Sequence, residues 1–102
     1  MTITKLNYIK MKTLSDFKKR LAKGVLLETT HAKMGSLGIR PIERVQSNAF
    51  TLLTDKKGES GKVESWCYFP KSSDFEVLDK DTVLIYWGSG IHRELILTYK
   101  FV

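Results

Sequence analysis

The chain has few residues able to do covalent or metal chemistry, and their spacing argues against both. His31, His92 and Cys67 carry its only imidazoles and its only thiol. Zinc and calcium sites draw several ligands from short, characteristic spacings. Here there is no Cys-x-x-Cys, no His-x-x-x-His and no dense acidic loop, so neither a metal nor any other cofactor is expected. His31 reads as the end of a strand and His92 as a turn residue, both solvated. Cys67 lies between Trp66 and Tyr68, where a thiol most often serves as a small buried hydrophobe rather than a nucleophile. Gly58-Glu-Ser-Gly-Lys62 has the look of a phosphate loop. It is two residues short, lacks the Ser or Thr after the lysine, and has strands on both sides instead of a strand and a helix. No Gly-x-Ser-x-Gly elbow is present. Catalytic residues are therefore not expected, and the chain reads as a non-enzymatic binding module.

Charge and aromatic groups say more. Residues 1–51 hold ten Lys and Arg against three acids, and residues 52–102 hold seven against eight, so the whole net charge of +6 comes from the first half. Such asymmetry bears on partners rather than on fold. Lys18, Lys19, Arg20 and Lys23 would form the outer side of a helix, with Lys33, Arg40 and Arg44 as candidates to join them in space. Side chains so arranged neutralise phosphates, although a lysine-rich face is as often simply solvated. Trp66 and Tyr68 lie on one strand, and Lys71 follows the Phe69-Pro70 step. Exposed aromatics on a small sheet stack unpaired bases or anchor a protein partner. The partners implied are nucleic acid or a nucleic-acid-handling protein, through Lys18, Lys19, Arg20, Lys23, Lys33, Arg40, Arg44, Lys71, Trp66 and Tyr68.

A helix from Leu14 to Lys23 is predicted by apolar residues at 14, 17 and 21, a capping box from Thr13 to Asp16, and Gly24 at the C-terminal stop. Strands are expected over 25–31, 49–54, 63–69, 82–87 and 94–101; residues 40–46 can be a further strand, and 75–78 reads as short and extended. Lys33–Gly38 reads as a loop, Ser47-Asn48 as a two-residue turn, and Pro41 confines its strand to an edge or to its first residues. The fold class expected is α+β: one N-terminal helix packed on a strongly bent antiparallel sheet of five to six short strands, of SH3-like or small-barrel type. A flat sheet crossed by the helix is the alternative. Residues 1–12 are expected as a tail or extension and 13–102 as one domain. No apolar run approaches the roughly 18 residues that a membrane span needs. With one cysteine no internal disulfide can form, which matches a reducing cytoplasm.

Four stretches resemble short uncharacterised proteins of bacteriophages and other mobile elements: Met11-Lys-Thr-Leu-Ser-Asp-Phe-Lys-Lys-Arg-Leu21, Arg44-Val-Gln-Ser-Asn-Ala-Phe-Thr-Leu52, Ser65-Trp66 with Phe69-Pro-Lys71, and Leu97-Thr-Tyr-Lys-Phe101. The resemblance implies a bacterial host cytoplasm and an accessory product, such as an anti-CRISPR-like or other anti-defence inhibitor. It brings no site residues with it.

Overall fold

The computed structural model describes residues 11–55 and 62–102. A short helix, α1 (Leu14–Arg20), precedes seven strands: β1 (Leu26–His31), β2 (Gly35–Val45), β3 (Ala49–Asp55), β4 (Lys62–Tyr68), β5 (Phe75–Asp79), β6 (Thr82–Trp87) and β7 (Glu94–Phe101). Single 3-10 turns lie at Ser72–Asp74 and Gly90–His92. The strands form one antiparallel sheet in the order β4-β3-β2-β1-β7-β6-β5. This corrects the expectation of five to six strands in an SH3-like or small barrel. There are seven strands, and the sheet is open, with β4 and β5 as its two edges.

The extra length comes partly from the stretch read as a loop. β2 begins at Gly35, whose φ of +82° closes the turn after Met34. The β1–β2 register then jumps from Thr30↔Ser36 to Thr29↔Gly38, leaving Leu37 as a bulge beside Gly38 at φ +94°. Glycines at positive φ serve a bulge inside a strand as well as they serve a loop. Pro41 is likewise not on an edge. It lies at the corner of β2, where pairing with β1 ends and pairing with β3 begins. Its missing N–H is tolerated there because the next donor, Ile42 N–H, reaches the Val25 carbonyl at 2.9 Å. The Ser47-Asn48 turn forms, with Gln46 N–H donating to the Ala49 carbonyl.

Chain connectivity makes the sheet roll. The two edge strands are joined by residues 69–74 alone, a link that reaches at most about 25 Å when fully extended. Seven flat strands would hold their edges roughly 29 Å apart, and the link spends three residues on a 3-10 turn. Curling brings the ends within reach and creates a concave face. Leu27, Ile42, Phe50, Leu52, Val83, Ile85, Tyr99 and Phe101 form the buried core on that side.

α1 fills one end of the hollow. Phe17 is fully buried, and its ring lies 5.5–6.2 Å from those of Phe50, Phe75, Tyr99 and Phe101. Seven residues are too few for a helix to be stable alone, so this aromatic plug and the cap must hold it. Thr13 Oγ1 accepts from Asp16 N–H at 3.2 Å, while Asp16 Oδ2 accepts from the Lys12 and Thr13 N–H groups at 2.9 and 3.1 Å. The helix ends at Arg20, three residues before Lys23. Leu21 turns extended and buries itself, so that Gly24 N–H can pair with the Ile42 carbonyl at 2.8 Å. Of the tail expected over 1–12, residues 1–10 lie outside the described residues; Met11 is buried against the core.

Phe17→Ala should cost about 3–5 kcal/mol in urea unfolding, a large share of the 5–15 kcal/mol typical of a domain. The Asp16 carboxyl is held below its ordinary range, foremost by the Lys12 N–H bond. Its contribution to stability is therefore present above the unfolded carboxylate pKa and is lost as pH falls through the lower folded value. Asp16→Asn should flatten that acid limb in denaturation curves measured across pH.

Candidate binding groove

Much of the positive charge expected on one helix face is engaged within the fold. Arg20 bonds Asp81 at 3.2 Å and the Lys80 carbonyl at 2.5 Å, and its guanidinium lies 4.0 Å from the centre of the Phe101 ring. Lys23 pairs with Glu43 at 3.1 Å. Lys18 stands over the Phe69 ring at 4.7 Å. Lys19 is exposed and adds to the field that keeps Asp16 ionised. Arg44 makes a two-pronged pair with Glu64 and approaches the Trp66 ring at 5.5 Å. That pair lowers the Glu64 pKa, chiefly through the hydrogen bond from Arg44. Lys33 is exposed in the β1–β2 turn, apart from these groups in the sheet order. The turn itself is capped by His31, whose Nδ1 accepts from the Lys33 and Met34 N–H groups at 3.1 and 3.3 Å.

Of the remaining candidates, Trp66 and Tyr68 alternate with Ser65 and Cys67, the partners of core residues Leu52 and Phe50, and so turn their rings to the outer face of β4. Arg40 and Lys71 border the concave side, at the end that α1 leaves open. A cavity of about 280 Å³ there is lined by residues that include Thr29, Arg40, Trp66, Cys67, Tyr68 and Tyr99. A second cleft of about 360 Å³ lies between the β4–β5 link and strands β6 and β7, with Tyr68, Phe69, Lys71, Trp87 and Leu97 among its walls. The two hollows share Tyr68 and Leu97, so they adjoin and form one groove. Trp66 and Tyr68 stack with ring centres 6.3 Å apart, and both are exposed. Trp87, 70% exposed, borders the second cleft. Arg40 and Lys71 supply the charge, and neither pairs with a carboxylate among the described residues. Lys18, over Phe69, stands beside the wall of the cleft.

Trp87 and Thr29 had no place in the sequence reading of the site. Alternation assigns Trp87 to the face of Val83 and Ile85, which are buried. It is exposed because it is the last residue of β6 and only the cleft lies beside it. Arg93 clamps this region. It donates to the Ser73 carbonyl at 2.9 Å, approaches Asp74 at 3.9 Å, and lies 4.0 Å from the centre of the Tyr86 ring.

The groove contains little to suggest covalent chemistry. Burial pushes the Cys67 thiol up, away from the thiolate that a nucleophile needs. The Tyr99 hydroxyl is also pushed up, first by burial and then by Cys67. Among the described residues, no three His, Cys, Asp or Glu side chains gather as a metal site. No described helix is long and apolar enough to cross a membrane. No family model, curated protein or solved structure matches the chain.

The two kinds of cation separate experimentally. Arg20→Ala should lower stability by about 1–3 kcal/mol, through its bonds to Asp81 and Lys80 and its place on Phe101. Lys71→Ala, an exposed site, should change it by no more than about 0.5 kcal/mol. Thermal unfolding of the two variants beside the parent checks both.

Proposed function

We propose that the protein works by binding and that its ligand is single-stranded nucleic acid, free or within a nucleoprotein, held along the groove. The observation that carries this reading is the junction of the two hollows at Tyr68 and Leu97. It sets Trp87 on the same surface as Arg40 and Lys71, with the Trp66–Tyr68 stack at the rim, on the outer face of β4. Proteins that hold single strands combine a cationic groove with aromatic side chains on which successive bases stack. The charge excess of the first half adds a long-range attraction for a polyanion. With the resemblance to bacteriophage and mobile-element proteins, this suggests an accessory factor acting on nucleic acid in a bacterial host.

An inhibitor that binds a host protein is the second reading, and the edge of the sheet favours it. β4 is an edge strand carrying Val63, Trp66 and Tyr68 exposed, a place where a partner strand could add.

Fluorescence anisotropy with short labelled single-stranded oligonucleotides tests the first reading. Tyr68→Ala and Trp87→Ala should each weaken binding by roughly 5- to 150-fold, the range that loss of one stacked base implies. Lys71→Glu should weaken it across all sequences and reduce the salt slope, whereas Lys23→Glu should leave it near the parent value. No binding at low salt rejects nucleic acid as the ligand. A stoichiometric protein complex that survives nuclease and high salt selects the inhibitor instead.

A further inference from the structure

We propose that the cavity beside Thr29 is a recognition pocket for one nucleobase turned out of the bound strand. The inference rests on the nucleic-acid reading of the groove and adds a base-reading site to it. At about 280 Å³ the cavity falls just below the roughly 300–1,000 Å³ of pockets for drug-sized ligands. It suits one planar group rather than a length of chain. Leu37, Leu52 and Leu97 supply apolar walls, and the mouth adjoins the cleft where a strand would lie.

Its polar groups are few and placed together. Thr29 sits between Gly38 of β2 and Tyr99 of β7 in the sheet register, on the concave face. Arg40 folds back along Gly38. A methyl group placed on that glycine would lie 3.8 Å from Arg40 Nε, and Arg40 and Thr29 both line the cavity. From β4 and β7, Cys67 and Tyr99 also line the cavity. Thr29 itself is only 7% exposed, and its Oγ1 is a buried side-chain atom with no hydrogen-bond partner. Leaving a buried hydroxyl unpaired is costly, and the edge of a base in the cavity would supply the missing partner. Bases turned out of a strand are read in this way, by hydrogen bonds to the base edge between apolar or aromatic walls.

Thr29→Val tests the pocket, because it keeps the shape and removes the hydroxyl. Leu37→Trp, which would fill the cavity from a half-exposed position, provides a second variant. Anisotropy titrations would use the four single-stranded homopolymers and an abasic oligomer of equal length. The parent should favour one base over the others and over the abasic strand by about tenfold, the scale of one or two hydrogen bonds. Thr29→Val should remove most of that preference, and Leu37→Trp should remove it entirely. In thermal unfolding without ligand, Thr29→Val should melt no lower than the parent, since it deletes an unpaired hydroxyl. Equal binding of all five strands overturns the pocket and leaves the groove standing. So does a base preference that survives both variants. Failure of every strand to bind at low salt overturns the groove and the pocket with it.

Discussion

The structure depends on one constraint of connectivity. Two edge strands of a seven-stranded sheet are tied by residues 69–74, so the sheet must roll until its edges approach. Rolling without closure leaves a trough, and a trough needs filling if its apolar lining is to leave water. Phe17 does this at one end, packed among four aromatic rings supplied by strands from both halves of the sheet. The helix that carries it has only seven residues, enough to deliver one aromatic side chain and a capped start. The other end has no such plug. The groove is thus what remains of the concave face after the core has been made.

Placement of charge follows from the same geometry. Arg20 is drawn onto Phe101 and the β5–β6 turn, and Lys23 onto Glu43, because the helix lies directly against those elements. Arg44 is spent within the sheet, on its neighbour two strands away, Glu64. Arg40 and Lys71 lie where the fold is hollow, and no described carboxylate pairs with them. A count of lysines and arginines therefore overstates the helix as a binding surface and understates the trough. Of the ten residues singled out beforehand, Arg40, Trp66, Tyr68 and Lys71 line the groove and Lys18 stands at its wall.

Local signals in the chain settled the local structure. Thr13 and Asp16 mark the start of the helix, and the apolar positions 14, 17 and 21 mark its inner side. Alternation marks the strands, and Ser47-Asn48 marks a turn, because each is governed by residues within a few positions of one another. The number of strands and the openness of the sheet were not legible in this way. Gly35 and Gly38 have the same chemistry in a loop as in a bulge, and Pro41 is acceptable at the corner of a long central strand. Only the pairing of β2 with both β1 and β3 decides between those uses.

What the sequence by itself determined, then, is a single helix, a set of strands, an excess of positive charge in the first half and a poverty of catalytic groups. Tertiary structure decided which cations are tied and which are free, and it set Trp87 beside the groove and the Trp66–Tyr68 stack on the outer face of the strand that edges it. It also left the Thr29 hydroxyl buried beside a cavity without a partner. The physical reason is range. Caps, turns and alternation act between near neighbours in the chain, whereas ion pairs and hollows form between residues that only the rolled sheet brings together.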